Sequence, residues 1–225
     1  DTGRDILYVS SWDGGVHALP NPTGAGAWKT LGTPSPSTGG VYQIALDPAC
    51  DILYAGTDDE HVYKNTAPSS GGTTWIDMGA PRSGGDEHVA ALELGKGSRT
   101  LFAGIGNFGT VGGAFCTSLP SVTGVTPSSA QRGATGIDVV IKCSNTDIKT
   151  GAAAHFSSPD IKVNRTTRNS ATQVTANIDI AAGAKLGACD VGLTYTDSAS
   201  VSEKAVCLAD GFTVEKPTSI WYLAE

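Results

Sequence analysis

Three acidic residues, Asp58, Asp59 and Glu60, are adjacent in the sequence and are the first candidates for catalytic carboxylates. A glycosidase needs two carboxylates that face one cleft, about 5–10 Å apart. Adjacent residues in a short turn between two apolar runs do not offer that geometry, and Asp13 follows an earlier apolar run in the same way. We therefore interpret these residues as turn-forming, and we keep Asp13, Asp58 and Asp59 as candidate binding contacts.

The histidines and serines do not form a metal-binding or nucleophilic motif. His17, His61, His88 and His155 lack the His-x-His or His-x-x-x-His spacing that places two imidazoles on one metal ion. The sequence also lacks the Gly-x-Ser-x-Gly turn of a nucleophilic serine. The acidic turn offers oxygen ligands for calcium, but without the alternating spacing of a dedicated loop. We expect no cofactor, no metal and no enzymatic activity.

Trp12 is the strongest single candidate for a binding contact, because it precedes Asp13 at the tip of a predicted hairpin. An aromatic side chain at a loop tip can stack on a sugar ring or anchor a partner. Trp28 and Trp75 lie at equivalent positions of a sequence repeat. We therefore expect these two tryptophans to pack between the repeats.

The first half of the chain repeats at intervals of 46 to 48 residues. Residues 6–9 (Ile-Leu-Tyr-Val) match residues 52–55 (Ile-Leu-Tyr-Ala), and residues 100–103 (Thr-Leu-Phe-Ala) follow at the next interval. Further matches at the same spacing join residues 28–32 with 75–79, and residues 41–46 with 89–94. A period of about 40–50 residues with about four short strands per unit is typical of propeller blades. The sequence predicts one complete blade over residues 40–80, flanked by a blade without its inner strand over residues 5–35 and one without its outer strand over residues 88–118.

The second half of the chain does not continue the repeat. Ile137, Val139 and Ile141 alternate with other residues, as in a strand with one buried face. Seven short strands are predicted, over residues 121–126, 137–143, 152–156, 161–165, 173–180, 189–195 and 204–214. That number is typical of an immunoglobulin-like sandwich. The predicted fold class is therefore all-β, with blade repeats over residues 1–118, an Ig-like sandwich over residues 119–217 and a tail over residues 218–225.

Five cysteines, with no Cys-x-x-Cys pair among them, favour disulfides in an oxidising compartment. In an Ig-like topology, Cys143 at the end of the second strand and Cys207 early in the last lie at the same end, so we predict that they pair. Cys50 and Cys116 fall on the same face of neighbouring predicted blades, which predicts a second pair. The odd number leaves a further thiol free, reactive or bonded to another chain.

Residues 5–118 resemble the BNR or Asp-box class of β-propeller repeat. The resemblance depends on residues 53–58 (Leu-Tyr-Ala-Gly-Thr-Asp), on residues 62–64 (Val-Tyr-Lys), and on Gly71, Gly72, Thr74 and Trp75. Ser70 stands where the class has its turn-bracing aspartate, and Thr23-Gly24 replaces the corresponding segment of the first unit. The resemblance implies a fold and no single function, because sialidases, xyloglucan hydrolases, sortilin-type receptors and photosystem assembly factors share it. A sialidase would also need an arginine cluster, whereas Arg4, Arg82 and Arg99 occupy unrelated positions in the repeats.

Residues 120–216 resemble an IPT/TIG domain, an Ig-like module. The matching segments are residues 122–127 (Val-Thr-Gly-Val-Thr-Pro), residues 131–133, residues 169–172, Gly187, residues 190–191 and residues 211–214. Cys143, Cys189 and Cys207 depart from the usual pattern. Such modules act as spacers, adhesion units or attachments to surface enzymes, and the resemblance implies a role of that kind.

Composition excludes two classes of partner. The net charge is −7 and there is no basic cluster, so the chain does not have the positive surface of a nucleic-acid-binding protein. No apolar run approaches the ~20 residues of a transmembrane helix, so we expect no membrane span. The sequence begins inside a predicted blade and without a signal peptide, so we expect a processed or truncated product.

A closed propeller has about four to eight blades, and the sequence supplies fewer than three complete ones. Unpaired strand edges and open faces favour association with other protein chains, as a homo-oligomer or a surface assembly, with residues 219–223 as a strand that a partner could accept. We therefore expect a non-enzymatic, bacterial structural, adhesion or assembly component that is secreted, periplasmic or on the cell surface. The alternatives are the C-terminal fragment of a secreted propeller-type glycoside hydrolase and a carbohydrate-binding protein.

Overall fold

The computed structural model of the protein describes residues 1–12, 15–34, 40–81, 87–95, 99–106, 112–196 and 203–218. Within these ranges the chain forms strands joined by turns and no helix, which confirms the predicted all-β class. The chain divides into two compact units, residues 1–119 and residues 120–225. Residues 219–225 of the predicted tail lie outside the described ranges.

The strands of the first unit follow the apolar runs of the sequence repeat. In the described part of this unit they are β1 (Ile6–Ser10), β2 (Val16–Pro20), β3 (Lys29–Thr30), β4 (Val41–Asp47), β5 (Ile52–Thr57), β6 (Val62–Asn65), β7 (Ile76–Asp77), β8 (His88–Leu94), β9 (Thr100–Gly106) and β10 (Gly113–Ser118). Consecutive strands pair antiparallel into three sheets. The first sheet is β1-β2-β3, the middle sheet is β4-β5-β6-β7 and the third sheet is β8-β9-β10.

The sequence repeat is also a repeat of backbone geometry. Asp5, Asp51 and Arg99, each immediately before the strand that repeats, have φ values of 52°, 52° and 49°. Gly32 and Gly79 lie two residues after the outer strands of the first and middle sheets and have φ values of 84° and 90°. Their carbonyl oxygens accept hydrogen bonds of 3.1 Å from the backbone N–H groups of Val16 and Val62, respectively. Matched turns place matched strands, so residues one period apart occupy equivalent positions in neighbouring sheets.

Every residue of β5 is buried, because the middle sheet is covered on both faces. Successive side chains of a strand point to opposite faces. Leu53 and Ala55 pack with Ile6 and Val16 of the first sheet. Ile52 and Tyr54, on the other face, form a cluster that includes Val89, Leu101 and Ala103 of the third sheet. The continuous apolar run in β5 is thus the sequence signature of a strand between two layers.

The second unit consists of two four-stranded sheets around one core. Its described strands are β11 (Ser121–Thr126), β12 (Ser129–Gln131), β13 (Ile137–Ser144), β14 (Ala153–Phe156), β15 (Ile161–Ser170), β16 (Gln173–Ile180), β17 (Gly187–Thr196) and β18 (Glu203–Glu215). One sheet has the order β11-β13-β16-β15 and the other β12-β18-β17-β14. Val139 and Val174 of one sheet share a buried cluster with Leu193 and Phe212 of the other, so the two sheets pack face to face.

The seven strands predicted for this unit are all present, and the alternation along β16 is confirmed because every second residue from Val174 to Ile180 is buried. Sequence reasoning missed β12, which pairs parallel with the end of β18. Its three residues are too few to show an alternating pattern.

Both predicted disulfide pairs are wrong. Cys116 and Cys143 are free thiols, as is Cys189, while Cys50 and Cys207 are disulfide-bonded. Cys143 points into the core of the second unit. Val206 also points into that core, so the next residue along β18, Cys207, points away from it. Being near the same end of a sandwich is therefore not sufficient, because these two side chains face different sides of their sheets.

Candidate functional site

Aromatic side chains from all three sheets of the first unit meet at one end of the strands. Trp12 follows the end of β1, Tyr42 is the second residue of β4 and His88 begins β8. The rings of Trp12 and Tyr42 meet edge to face at 4.9 Å between centroids. The rings of Tyr42 and His88 are stacked at 4.0 Å with an interplanar angle of 18°. We call these three residues the aromatic row.

In the aromatic row, one exposed ring packs against a half-buried ring, which stacks on a second half-buried ring. The Trp12 side chain is 74% exposed, whereas Tyr42 and His88 are half-buried. Edge-to-face and stacked aromatic pairs each contribute about 0.5–1.5 kcal/mol beyond burial of their surface. The indole is therefore held in place while most of its surface remains open to a ligand.

Gly40 allows the Trp12 segment to approach the start of β4. A Cβ atom on Gly40 would lie 2.7 Å from the Trp12 carbonyl oxygen, which is too close for any other residue without a backbone shift. The Val41 N–H donates to the Ser11 carbonyl oxygen at 3.3 Å, and the Asp58 N–H donates to that of Gly40 at 3.2 Å. The first bond joins the loop of the first sheet to the middle sheet, and the second joins the start of β4 to the end of β5 within the middle sheet, next to the aromatic row.

Asp58 is the one predicted acidic contact that the structure places beside the aromatic row. Burial, and secondarily the charge of Asp58, raises the pKa of the Tyr42 hydroxyl. Tyr42 is therefore neutral at physiological pH and keeps a hydrogen-bond donor. The Oδ1 atom of Asp58 is buried and has no hydrogen-bond partner among the described residues.

Asp59 stabilises the turn between β5 and β6 internally. Its Oδ1 accepts hydrogen bonds from the Thr57 hydroxyl and from the His61 N–H, the latter at 3.3 Å. Its Oδ2 accepts a bond of 3.0 Å from the Tyr63 hydroxyl. The adjacent Glu60 takes a positive φ of 66° in this turn. The carboxylate of Asp59 is thus occupied by its own turn, whereas Asp13 lies outside the described residues.

Trp12 and Asp58 were predicted from the sequence as binding contacts, whereas Tyr42 and His88, which the structure places beside them, were not. The available signal was a break in the repeat: Ala90 occupies the position equivalent to Tyr42, and Gly40 the position equivalent to His88. A residue whose type changes between otherwise similar repeats is not explained by the packing that the repeats share.

The two repeat tryptophans differ in their surroundings. Trp75 packs against the cluster between the first and middle sheets, and its Nε1 donates to the Leu31 carbonyl oxygen at 2.8 Å. Trp28, at the equivalent position of the first sheet, is 54% exposed. The packing prediction is therefore confirmed for Trp75 and wrong for Trp28, which has no described sheet on the corresponding side.

An apolar groove of about 330 Å³ lies between the middle and third sheets. Its lining includes Val62, Met78, Leu101, Phe115 and Cys116. No group of three or more metal-ligating side chains occurs in the described ranges. Those ranges also contain no helix long and apolar enough to cross a membrane.

A scan against models of known protein families finds none that matches this chain, and a search of the curated proteins finds no match either.

Proposed function

We propose that this protein is a non-enzymatic structural or adhesion component that works outside the cytoplasm and associates with other polypeptide chains. In this proposal the first unit is an open segment of a BNR-type β-propeller, and the second is an Ig-like module of the IPT/TIG class. Three stacked antiparallel sheets with matched turns support the first part. Two four-stranded sheets around one core support the second.

The observation that carries the proposal is the difference in burial between the faces of the middle sheet and the outer faces of its two neighbours. The middle sheet buries both of its faces. The outer faces of the first and third sheets expose large apolar side chains, with Leu7 45%, Val9 39% and Phe102 47% exposed. Apolar side chains grouped on the face of a sheet mark sites of protein association.

The disulfide-bonded state of Cys50 and Cys207 supports an oxidising location, such as the cell exterior or the periplasm. Structural disulfides persist in these compartments because the glutathione and thioredoxin systems of the cytosol do not reduce them there.

Size-exclusion chromatography with light scattering tests the association. We expect a mass of at least twice the 22.9 kDa of one chain at micromolar concentration. A compact, stable monomer at every concentration up to about 100 μM, at which chains with a micromolar dissociation constant would be mostly associated, would contradict the proposal.

A second candidate function, carbohydrate binding, is favoured by the aromatic row. A largely exposed indole on a supported base suits the apolar face of a sugar ring, and Asp58 and His88 offer polar groups close by. On a glycan array, Trp12→Ala should abolish any signal, because loss of a central aromatic contact costs about 2 kcal/mol or more, a factor of about 30. Leu186→Ala, which truncates an exposed side chain of the second unit, is the control and should keep the signal. Equal binding by both variants would remove this candidate.

A further inference from the structure

Equivalent residues of the three sheets face in equivalent directions. In the middle sheet, Leu53 points towards the first sheet, and we call this side of a sheet its front. Tyr54 points towards the third sheet, and we call this side the back. One period later, Leu101 lies on the front of the third sheet and packs against the middle sheet. One period earlier, Tyr8 lies on the back of the first sheet and also packs against the middle sheet.

The same contact, the back of one sheet on the front of the next, thus occurs twice in the described part of the first unit. Among its three described sheets, one front and one back are left over. The front of the first sheet carries Leu7 and Val9, the equivalents of the fully buried Leu53 and Ala55. The back of the third sheet carries Phe102, the equivalent of Tyr54, which is 2% exposed in its own interface.

We infer that a second copy of this chain occupies both open faces, with the Phe102 back of each copy packed on the Leu7–Val9 front of the other. This inference rests on the proposed association with other chains and names the partner and the residues in contact. The interface would repeat a contact that the chain already makes twice, so its shape is compatible with both surfaces.

The polar residues beside the two faces are compatible with this pairing. Glu93 is directly opposite Phe102 in the β8–β9 pair, so it lies on the same back face. His17 is directly opposite Val9 in the β1–β2 pair, so it lies on the same front face. The docked faces would therefore bring an acidic side chain of one copy near an imidazole of the other.

The number of sheets sets the expected size of the assembly. A back-to-front contact is heterologous, so it forms either a closed ring or an open fibre. Two copies supply six described sheets of the first-unit type, within the range of about four to eight blades for a closed propeller, whereas three copies supply nine. The expected assembly is a dimer with two identical interfaces.

Charged substitutions on each face test whether the two copies are in contact and which of their faces meet. We expect Phe102→Glu to convert the dimer into a monomer of 22.9 kDa, because it places a carboxylate in both interfaces. Leu7→Lys with Val9→Lys should have the same effect. An equimolar mixture of the two variants should return to the dimer, because one interface is then native and the other joins Glu to Lys. Leu186→Glu, on an exposed position of the second unit, is the control and should stay dimeric.

Each other outcome overturns the inference. If the Phe102→Glu variant remains a dimer, the front faces of the two copies pair with each other. If the variant with Leu7→Lys and Val9→Lys remains a dimer, the back faces pair with each other. Failure of the mixture to recover would exclude the back-to-front contact. A monomeric wild-type chain would remove both the inference and the proposed association, whereas an oligomeric wild-type chain with unaffected variants would remove the inference alone. Far-UV circular dichroism checks folding, and Phe102→Ser and Val9→Thr replace any charged variant that unfolds.

Discussion

At the residue scale, some side chains of the first unit contact residues a few positions away in sequence, and others contact residues of a different sheet. Asp59 was predicted to form a turn, and its hydrogen bonds lie within a few residues of it in sequence. The aromatic row was not predictable as a unit, because Trp12, Tyr42 and His88 come from three separate sheets. The predicted cysteine pairs are wrong for a related reason. Two cysteines can pair only if their side chains point towards each other, so the end of the strand at which each one lies is not enough. The apolar Val206 next to Cys207 already indicated that Cys207 points away from the core.

The thiols provide a direct test of this residue-scale picture. At pH 8, iodoacetamide should label Cys116 in the native protein, because this thiol is exposed. Cys143 should react only after unfolding, because burial raises the pKa of its thiol to about 11. Burial also raises the pKa of Cys189 and shields its sulfur.

Mass spectrometry should therefore count one label in the native protein, three after unfolding in guanidinium and five after reduction as well. Cys116→Ser should remove the native label and serves as the control. Two or more labels on the native protein would show that the buried thiols are accessible.

At the element scale, the strands were predictable because burial leaves a pattern along each of them. The alternation in β16 and the continuous apolar run in β5 indicate, respectively, a strand with one buried face and a strand between two layers. Short elements leave no such pattern, so β12 was missed. The contact between sheets through Trp75 also depends on tertiary packing that the repeat spacing alone does not specify.

Trp75→Phe should lower the free energy of unfolding by about 1–2 kcal/mol, because it leaves the carbonyl oxygen of the buried Leu31 without the indole donor. Guanidinium denaturation followed by circular dichroism measures this loss. Trp28→Phe is the matched control, since it makes the same change at the equivalent exposed position. An equal loss in both variants would mean that the effect comes from the smaller ring and not from the hydrogen bond.

At the scale of the whole molecule, the change from a repeat to an alternating pattern near residue 120 coincides with the division into two units. Every described residue in the core of the second unit, from Val122 to Val214, belongs to that unit. A unit with its own core unfolds cooperatively without its neighbour.

A fragment of residues 120–218 should therefore fold alone, with a β-type circular dichroism spectrum and one thermal transition. Within it, Ile178→Ala should lower stability by about 2–4 kcal/mol, since this side chain is 0% exposed in the core. Lys162→Ala, at an exposed position of β15, is the control and should change stability by less than about 0.5 kcal/mol. A fragment without a cooperative transition would show that the core needs the first unit.

The complete burial of β5 has a consequence for solubility. The segment Ile-Leu-Tyr-Ala-Gly-Thr has no charge and no proline, a composition that favours intermolecular β-aggregation when a strand is uncovered. The first and third sheets therefore act as covers that keep this segment from self-association. Removing either sheet should produce a precipitate and not a smaller soluble domain, so shortened versions of the first unit are poor starting points for engineering.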